Sequence, residues 1–132
     1  GPTDYFYDYK YGKLAYRSIN FVFETHDKEE YQPAPVVNYP NDYDFTRITE
    51  FKKLTYQEHK KTTILKEFPC DEGEPYYPFP TKEWKDKFSL YQEDMKKEKK
   101  VLFLGRLAEY RYYNMDAVVR RALDLFEGGI NG

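Results

Sequence analysis

The spacing of apolar residues changes at Thr81, and this change constrains the fold more than any other feature of the sequence. In residues 13–25, KLAYRSINFVFET, the side chains alternate so that one side of an extended chain is mostly apolar. After Thr81, apolar residues recur every three or four positions, which is typical of amphipathic helices. Strands that come first and helices that come later predict an α+β protein with a mostly antiparallel sheet.

Four further segments before Thr81 also predict extended chain. The first and third are expected to be strands that end at Pro40 and Pro69, and the second is expected to be extended. The last is too rich in proline for a central strand, so we expect a rigid extended segment. A short helical turn is expected next to Pro2. In chain order the four segments are APVVNY (34–39), FTRITEFKKLT (45–55), TTILKEF (62–68) and PYYPFP (75–80).

The chain after Thr81 predicts a helix, a short buried strand and a second helix. Thr81 is a suitable N-cap, and the apolar run VLFL (101–104) predicts the strand. The second helix is expected to begin at Asn114 and to end at Gly128 and Gly129. The apolar stripe of the first helix consists of Trp84, Phe88, Tyr91 and Met95, and that of the second of Met115, Val118, Val119, Ala122, Leu125 and Phe126.

Length, charge and cysteine content narrow the class of protein. We expect a single domain over residues 1–132, with sheet over about 12–80 and helix, strand and helix over 81–132. A formal net charge of −2 argues against binding of nucleic acid, which usually requires a basic surface. No segment is long and apolar enough to predict a membrane span. Cys70 is the only cysteine, so we expect no disulfide framework and a reducing, cytoplasmic compartment.

Cations and tyrosines near the ends of the predicted strands suggest an anion site. The chain has 15 tyrosines, and a phenol can donate a hydrogen bond without adding charge. With Arg47, Arg106, Arg111 and Tyr77, and with the free N–H groups of the helix after Asn114, such a site could hold a pyrophosphate. Each residue also has a plainer interpretation: Arg47 could pair with Glu50 or Glu67, Arg106 could stack or could extend its charged end to solvent, and most tyrosines could be half-buried sheet residues.

Classical catalytic motifs are not found. The sequence contains no glycine-rich dinucleotide or phosphate loop, and no serine or cysteine nucleophile motif. His26 and His59 have no partner at ligand spacing, so we expect surface residues and no metal site.

Five motifs in a fixed order carry a resemblance to a known family. VVNY, TRITEF, KEF, PYYPFP and VLFLGRLAEYRYYNMD, together with the early YGKLAYRS, resemble UDP-galactopyranose mutase. The resemblance implies an isomerase that interconverts UDP-galactopyranose and UDP-galactofuranose for the synthesis of bacterial surface polysaccharides. It also implies reduced FAD, whose N5 forms an adduct with the sugar while UDP leaves and returns. The cofactor would then carry the chemistry.

The resemblance also implies roles for individual residues. Arg47 resembles the catalytic arginine near the flavin and the diphosphate, where it would stabilise the departing UDP. The other substrate-binding residues that it implies are Asn38, Glu67, Tyr77, Tyr112 and Asn114, and the FAD-binding residues are Gly105, Arg106 and Met115.

Two departures from the family pattern limit this reading. Asn114 stands where members carry aspartate, so a role that needs a negative charge there is in doubt. The FAD-binding Rossmann domain with its glycine fingerprint is missing, so the chain resembles only the C-terminal third of the family. GPTDYF resembles the continuation of a longer protein, and we therefore expect a truncated chain.

A truncated chain would differ from the longer enzyme in what it binds and does. We expect it to be inactive and to bind no FAD by itself. Its partners would be UDP-galactose and the missing FAD domain, and its exposed aromatic surface could also form a homodimer. The alternatives are a stand-alone, non-catalytic binding or interaction module of the same fold and, with less support, a related flavin enzyme of the amine-oxidase kind.

Overall fold

The computed structural model describes residues 1–128 and confirms the α+β class. All strand pairings are antiparallel, and the hydrogen-bonded strand order is β2-β3-β4-β1-β5. The part of the helix end that was predicted at Gly129 lies outside the described residues. The elements are α1 (Thr3–Phe6), β1 (Tyr16–His26), β2 (Val36–Asn38), β3 (Arg47–Glu50), α2 (Phe51–Thr55), β4 (Thr62–Cys70), β5 (Tyr77–Pro78), α3 (Lys82–Met95) and α4 (Met115–Glu127).

The chain divides into two compact units. One unit contains residues 18–74 and therefore most of β1 together with β2, β3 and β4. The other contains residues 1–17 and the chain from Pro75 onward, including α3 and α4. In this second unit, the first two residues of β1 pair with the two residues of β5. The proline-rich segment is thus a very short strand at the edge of the strand order, as its composition requires.

The sheet of residues 18–74 has one well-buried side. Ile48, Glu50 and Ile64 are almost inaccessible on this side, and Gln32 donates hydrogen bonds from its amide nitrogen to two backbone carbonyl groups there. The predicted alternation of β1 is present, but Ile19, Phe21 and Phe23 face the other side, where Phe23 is 64% exposed, and only Val22 of its central apolar residues lies on the buried side. This opposite side of the sheet is therefore an open surface with apolar and charged residues side by side.

The core of the other unit is built from the apolar stripe of α3. Phe88 and Tyr91 are buried against Leu14 and Tyr110, and Trp84 and Met95 pack at the edge of this cluster. The predicted helix stripe is therefore confirmed, and Thr81 occupies the N-cap. Both buried tyrosines use their hydroxyl groups: Tyr91 donates to the carbonyl of Gly12 at 2.7 Å, and Tyr110 donates to that of Ala15 at 2.6 Å. These two tyrosines therefore have a structural role, with the ring in the core and the hydroxyl group bonded to the backbone.

Three local predictions are wrong. Residues 101–104 form neither a strand nor a buried segment, because within residues 1–128 no strand lies beside them. Phe103 packs on the rings of Phe6 and Tyr7 instead. A short apolar run cannot distinguish these outcomes. Residues 51–55 are helical rather than extended, since Lys and Leu favour helix. The strand β4 continues through Pro69 to Cys70, where the ladder tolerates a residue that has no N–H group.

Candidate functional site

The nine predicted site residues fall into two groups, one in each unit. Asn38, Arg47 and Glu67 belong to residues 18–74. The other unit contains Tyr77, Gly105, Arg106, Tyr112, Asn114 and Met115.

The first group forms a straight row across three strands. Asn38 pairs with Arg47, and Arg47 pairs with Glu67 in the antiparallel register. The row extends to Phe21, which is the partner of Glu67 on β1. Side chains of directly paired residues project from the same side of a sheet, so all of these residues share the open side. The structure therefore brings the three predicted residues together and adds Phe21, whose place in the row depends on a register that the sequence pattern does not give.

Arg47 is held by one of the two carboxylates that the sequence suggested. Its Nη2 lies 2.9 Å from Oε2 of Glu67, and the side chains are 39% and 11% exposed, respectively. Pairing with Glu50 does not occur, because Glu50 projects from the opposite side of the sheet. Nε of Arg47 is buried and has no hydrogen-bond partner within residues 1–128. A guanidinium group has five N–H donors, so the ion pair with Glu67 leaves donors for an anion.

Glu50 fixes the end of the strand that carries Arg47. Its carboxylate accepts hydrogen bonds from the backbone N–H groups of Tyr31 and Gln32 at 3.0 and 3.1 Å, and from the hydroxyl of Thr62 at 2.7 Å. Burial alone would raise the pKa of Glu50, but these hydrogen bonds outweigh it and leave the pKa lowered. The buried carboxylate is therefore a structural anchor, and its ionised form is the one that the fold stabilises.

The second group is centred on the ring of Tyr77. The ring of Tyr112 lies 5.8 Å from it, measured between centroids, and the guanidinium carbon of Arg106 lies 5.0 Å from its centroid. Of the two plainer interpretations of Arg106, the structure shows the stacking contact. Tyr112 is 63% exposed, so this small aromatic and cationic cluster is accessible from solvent.

The loop of residues 105–113 carries two members of this cluster. It begins at Gly105, whose φ of +102° lies in the region that favours glycine. No atom lies within 4 Å of the position that a Cβ atom would take there, so the space beside Gly105 is open. The N–H group of Gly105 points inward and donates to Oε2 of Glu109 at 3.2 Å and to the hydroxyl of Tyr113 at 3.1 Å.

Glu109 is the acceptor of this loop, and the sequence reasoning missed it. The hydroxyl of Tyr113 donates to its Oε2, and Nε of Arg121 donates to its Oε1 at 3.1 Å. Burial by itself would raise the pKa of Glu109, but the bonds from Tyr113, Arg121 and Gly105 leave it lowered. Burial and the bond to Glu109 raise the pKa of Tyr113. In the sequence, only the four-residue spacings from Gly105 to Glu109 and from Glu109 to Tyr113 could have indicated these contacts.

Asn114 and Met115 open α4, as predicted. Asn114 is the N-cap with an extended backbone, and its carbonyl accepts the N–H of Val118 at 3.0 Å. Its side chain makes no capping hydrogen bond, and Met115 is 78% exposed. The N–H groups of the first turn of such a helix have no partner within the helix and carry a partial positive charge.

The two histidines have local contacts only. His26 lies 3.2 Å from a carboxylate oxygen of Glu24 and packs on the ring of Tyr31, while His59 is bonded to the backbone of Lys61. Among residues 1–128, no three side chains of His, Cys, Asp or Glu form a group suited to a metal ion. No helix in this part of the chain combines the length and hydropathy of a membrane span.

Comparisons with known proteins agree with the motifs. The family model for UDP-galactopyranose mutase matches residues 1–112. The chain is similar to dTDP-fucopyranose mutase of Escherichia coli, with 37% identity over 129 residues, 94% of this chain and 34% of the relative. It is also similar to a probable UDP-galactopyranose mutase of Klebsiella pneumoniae, with 38% identity over 128 residues, 93% of this chain and 33% of the relative. The chain spans about a third of the length of these relatives. It belongs to the UDP-galactopyranose mutase family.

Proposed function

We propose that this chain supplies the C-terminal, diphosphate-holding part of a mutase that interconverts UDP-galactopyranose and UDP-galactofuranose. The observation that carries the proposal is the family match over residues 1–112, which includes seven of the nine predicted site residues. Only Asn114 and Met115 lie beyond the matched range.

Arg47 is the residue to which we assign the charge-stabilising role. The sugar–phosphate bond breaks with a build-up of negative charge on the leaving diphosphate, and a guanidinium group stabilises that charge. Glu67 would orient Arg47 through the ion pair on Nη2, and the carboxamide of Asn38 lies on its other flank in the same row. The Arg47 side chain is 39% exposed and keeps N–H donors beyond the ion pair, which supports a ligand contact at this point of the row.

Tyr77 and Tyr112 would hold the diphosphate by neutral hydrogen bonds. Their rings contact each other, and the cation of Arg106 lies against Tyr77. Two phenols next to a cation give an anion hydrogen-bond donors without requiring that several positive charges be brought together. We assign to Asn114, at the start of α4, a polar contact rather than a role as a base, since its carboxamide carries no charge.

FAD is the cofactor that we propose for the longer protein. The residues of this chain fit one wall of a flavin site, because the space beside Gly105 is open and Met115 is exposed at the start of α4. Bound and reduced, the flavin supplies the nucleophilic N5 atom for bonding to the anomeric carbon of the sugar. Gly105 and Arg106 would then contact the ring system, and the first turn of α4 would direct its N–H groups toward it.

The open side of the sheet and the outer face of α4 support a further assignment. Met115, Val119 and Phe126 on α4 are each more than half exposed, and so is Phe23 on the open side of the sheet. We assign as their partner the FAD domain of the longer protein, and we expect the chain alone to be inactive and cytoplasmic. The alternative, a stand-alone interaction module, draws on the same exposed residues and would bind a protein but no nucleotide.

The test combines binding with turnover. Calorimetric titration of the chain with UDP and UMP measures recognition of the diphosphate, and titration with UDP and dTDP measures the preference for one base. The second comparison is needed because a dTDP-sugar mutase and a UDP-sugar mutase are similar to this chain at nearly equal identity. Incubation with FAD, dithionite and UDP-galactopyranose, followed by chromatography, measures turnover. We expect binding of UDP over UMP and no turnover. Galactofuranose formation by the chain alone would contradict the assignment of an inactive part, and binding of a protein without any nucleotide would favour the interaction module.

A further inference from the structure

Three donors converge on the carboxylate of Glu109, and together they tie both ends of the loop of residues 105–113 to α4. Gly105 lies at the start of the loop, Tyr113 at its end and Arg121 on the second turn of α4, and each donates to this one side chain. A carboxylate is the side chain that suits such a point, because it accepts at both oxygens and donates at neither. A glutamine would have to turn its NH₂ group toward one of the donors.

The middle of the loop is fixed independently of Glu109. Tyr110 has a positive φ of +47°, and its buried hydroxyl donates to the carbonyls of Ala15 and Phe79. The carbonyl of Ala108 accepts from the hydroxyl of Thr3. These contacts hold residues 108–110 against the core of the unit but do not determine where the loop ends point. Backbone N–H groups of Glu109 and Arg111 donate to the carbonyls of Gly105 and Arg106 at 2.9 and 3.0 Å, and the carboxylate of Glu109 adds the bonds to the Gly105 N–H, Tyr113 and Arg121.

The ends of the loop are the positions next to the predicted ligand contacts. Arg106 follows Gly105, and Tyr112 precedes Tyr113. Since a phenol anchored to Glu109 fixes the backbone at Tyr113, it also sets the direction in which Tyr112 leaves the chain. The contact of Tyr112 with the ring of Tyr77 at 5.8 Å depends on that direction.

We propose that Glu109 is a positioning residue of the diphosphate site: its carboxylate holds both ends of the 105–113 loop so that Tyr112 and Arg106 converge on Tyr77. The choice of ligand, a nucleoside diphosphate, rests on the function proposed above. The positioning of the loop by Glu109 concerns the free chain and can be tested without a ligand. Glu109 itself does not touch the ligand in this account. Its effect is to keep Tyr112 in place before the ligand arrives, which lowers the ordering cost of binding.

The experiment compares the wild type with Glu109→Ala, Glu109→Gln and the control Glu93→Gln, which removes an exposed charge that pairs with Lys96. Nuclear Overhauser contacts between the rings of Tyr77 and Tyr112, and amide exchange at Gly105, are measured without ligand. Titrations with UDP and UMP then give the affinity gained from the second phosphate. We expect Glu109→Ala to lose the ring contacts, to speed exchange at Gly105 and to weaken UDP about ten-fold with little change for UMP.

The other variants make the result specific. Glu109→Gln keeps the size and part of the hydrogen bonding, so we expect a loss of UDP affinity of about three-fold, and Glu93→Gln should match the wild type. If Glu109→Ala does not fold, Tyr113→Phe removes one link and should also speed exchange at Gly105 and weaken UDP. Persistent ring contacts in Glu109→Ala, or a loss of UDP affinity no greater than in the control, would overturn the proposal. If the wild type binds no UDP, the proposed function fails, and the ring contacts still decide whether Glu109 positions Tyr112.

Discussion

Replacement of Arg47 by alanine tests the assignment of the charge-stabilising residue. The side chain pairs with Glu67 through Nη2, and the partly exposed guanidinium group keeps further N–H donors for a phosphate oxygen. A hydrogen bond to a charged group contributes about 1.5–3 kcal/mol, and the 39% exposure of Arg47 favours the lower part of that range. A loss of about 2 kcal/mol corresponds to a Kd that rises roughly 30-fold. Calorimetry with UDP measures this directly.

The same substitution also leaves Glu67 without its cation. Because Glu67 is only 11% exposed, we expect Arg47→Ala to lower the free energy of unfolding by about 1 kcal/mol. The double variant Arg47→Ala with Glu67→Gln removes the unpaired charge, so it should regain stability in urea but not UDP affinity. This separation distinguishes a ligand contact from a merely structural ion pair.

A matched control removes an arginine elsewhere. Arg120→Ala deletes an exposed cation whose partner is Asp124, one turn further along α4, and we expect UDP affinity to stay within about two-fold of the wild type. Equal UDP affinity in Arg47→Ala and wild type would refute the assignment. Recovery of affinity in the double variant would show that the free carboxylate, and not the lost guanidinium, weakened binding.

Three further substitutions give separate outcomes. Glu50→Gln places an amide against three donors, so we expect urea denaturation to show a loss of about 2–4 kcal/mol, with exposed Glu93→Gln as the control. Because the folded pKa of Glu50 is lowered, the contribution of its carboxylate to the free energy of unfolding is complete above the ordinary pKa of about 4.3 and is lost as pH falls through the folded pKa. The free energy of unfolding between pH 3 and 7 should therefore depend less steeply on pH in Glu50→Gln than in the wild type. An unchanged loss of stability at acid pH would contradict this. Tyr110→Phe loses the bonds to Ala15 and Phe79, so thermal denaturation should show a free energy of unfolding lower by about 1–1.5 kcal/mol. The control Tyr56→Phe, at a 91% exposed site, should change it very little. Equal effects of the two substitutions would count against the role of the buried hydroxyl. Tyr112→Phe should leave stability unchanged and weaken UDP about three- to ten-fold by calorimetry, and undiminished affinity would remove Tyr112 from the site.

Periodicity was sufficient to predict the main elements but not which surfaces they cover. The stripe of α3 is confirmed as core, because its four apolar residues meet partners from the same unit. The equally regular stripe of α4 includes Met115, Val119 and Phe126, all largely exposed in the described chain. An amphipathic pattern indicates that a face is suited to burial, but it does not identify the segment that covers it.

The site was only partly predictable for a related reason. Single motifs pointed to Arg47 and Glu67, and either Glu50 or Glu67 could have been the partner of Arg47 until the strand register was known. Once Arg47 is placed opposite Glu67, parity along the strand puts Glu50 on the other side. Glu109 escaped notice because its role depends on the backbone conformation at Gly105 and on a helix residue, Arg121, twelve positions away.

The most direct test of the account is a UDP titration of the chain followed by amide chemical shifts. We expect a folded, dispersed spectrum in which UDP shifts the amides of Asn38, Arg47, Tyr77 and Tyr112, and in which UMP at the same concentration shifts them much less. Shifts confined to other residues, or no shifts even at millimolar UDP, would contradict the claim that these four residues contact the diphosphate.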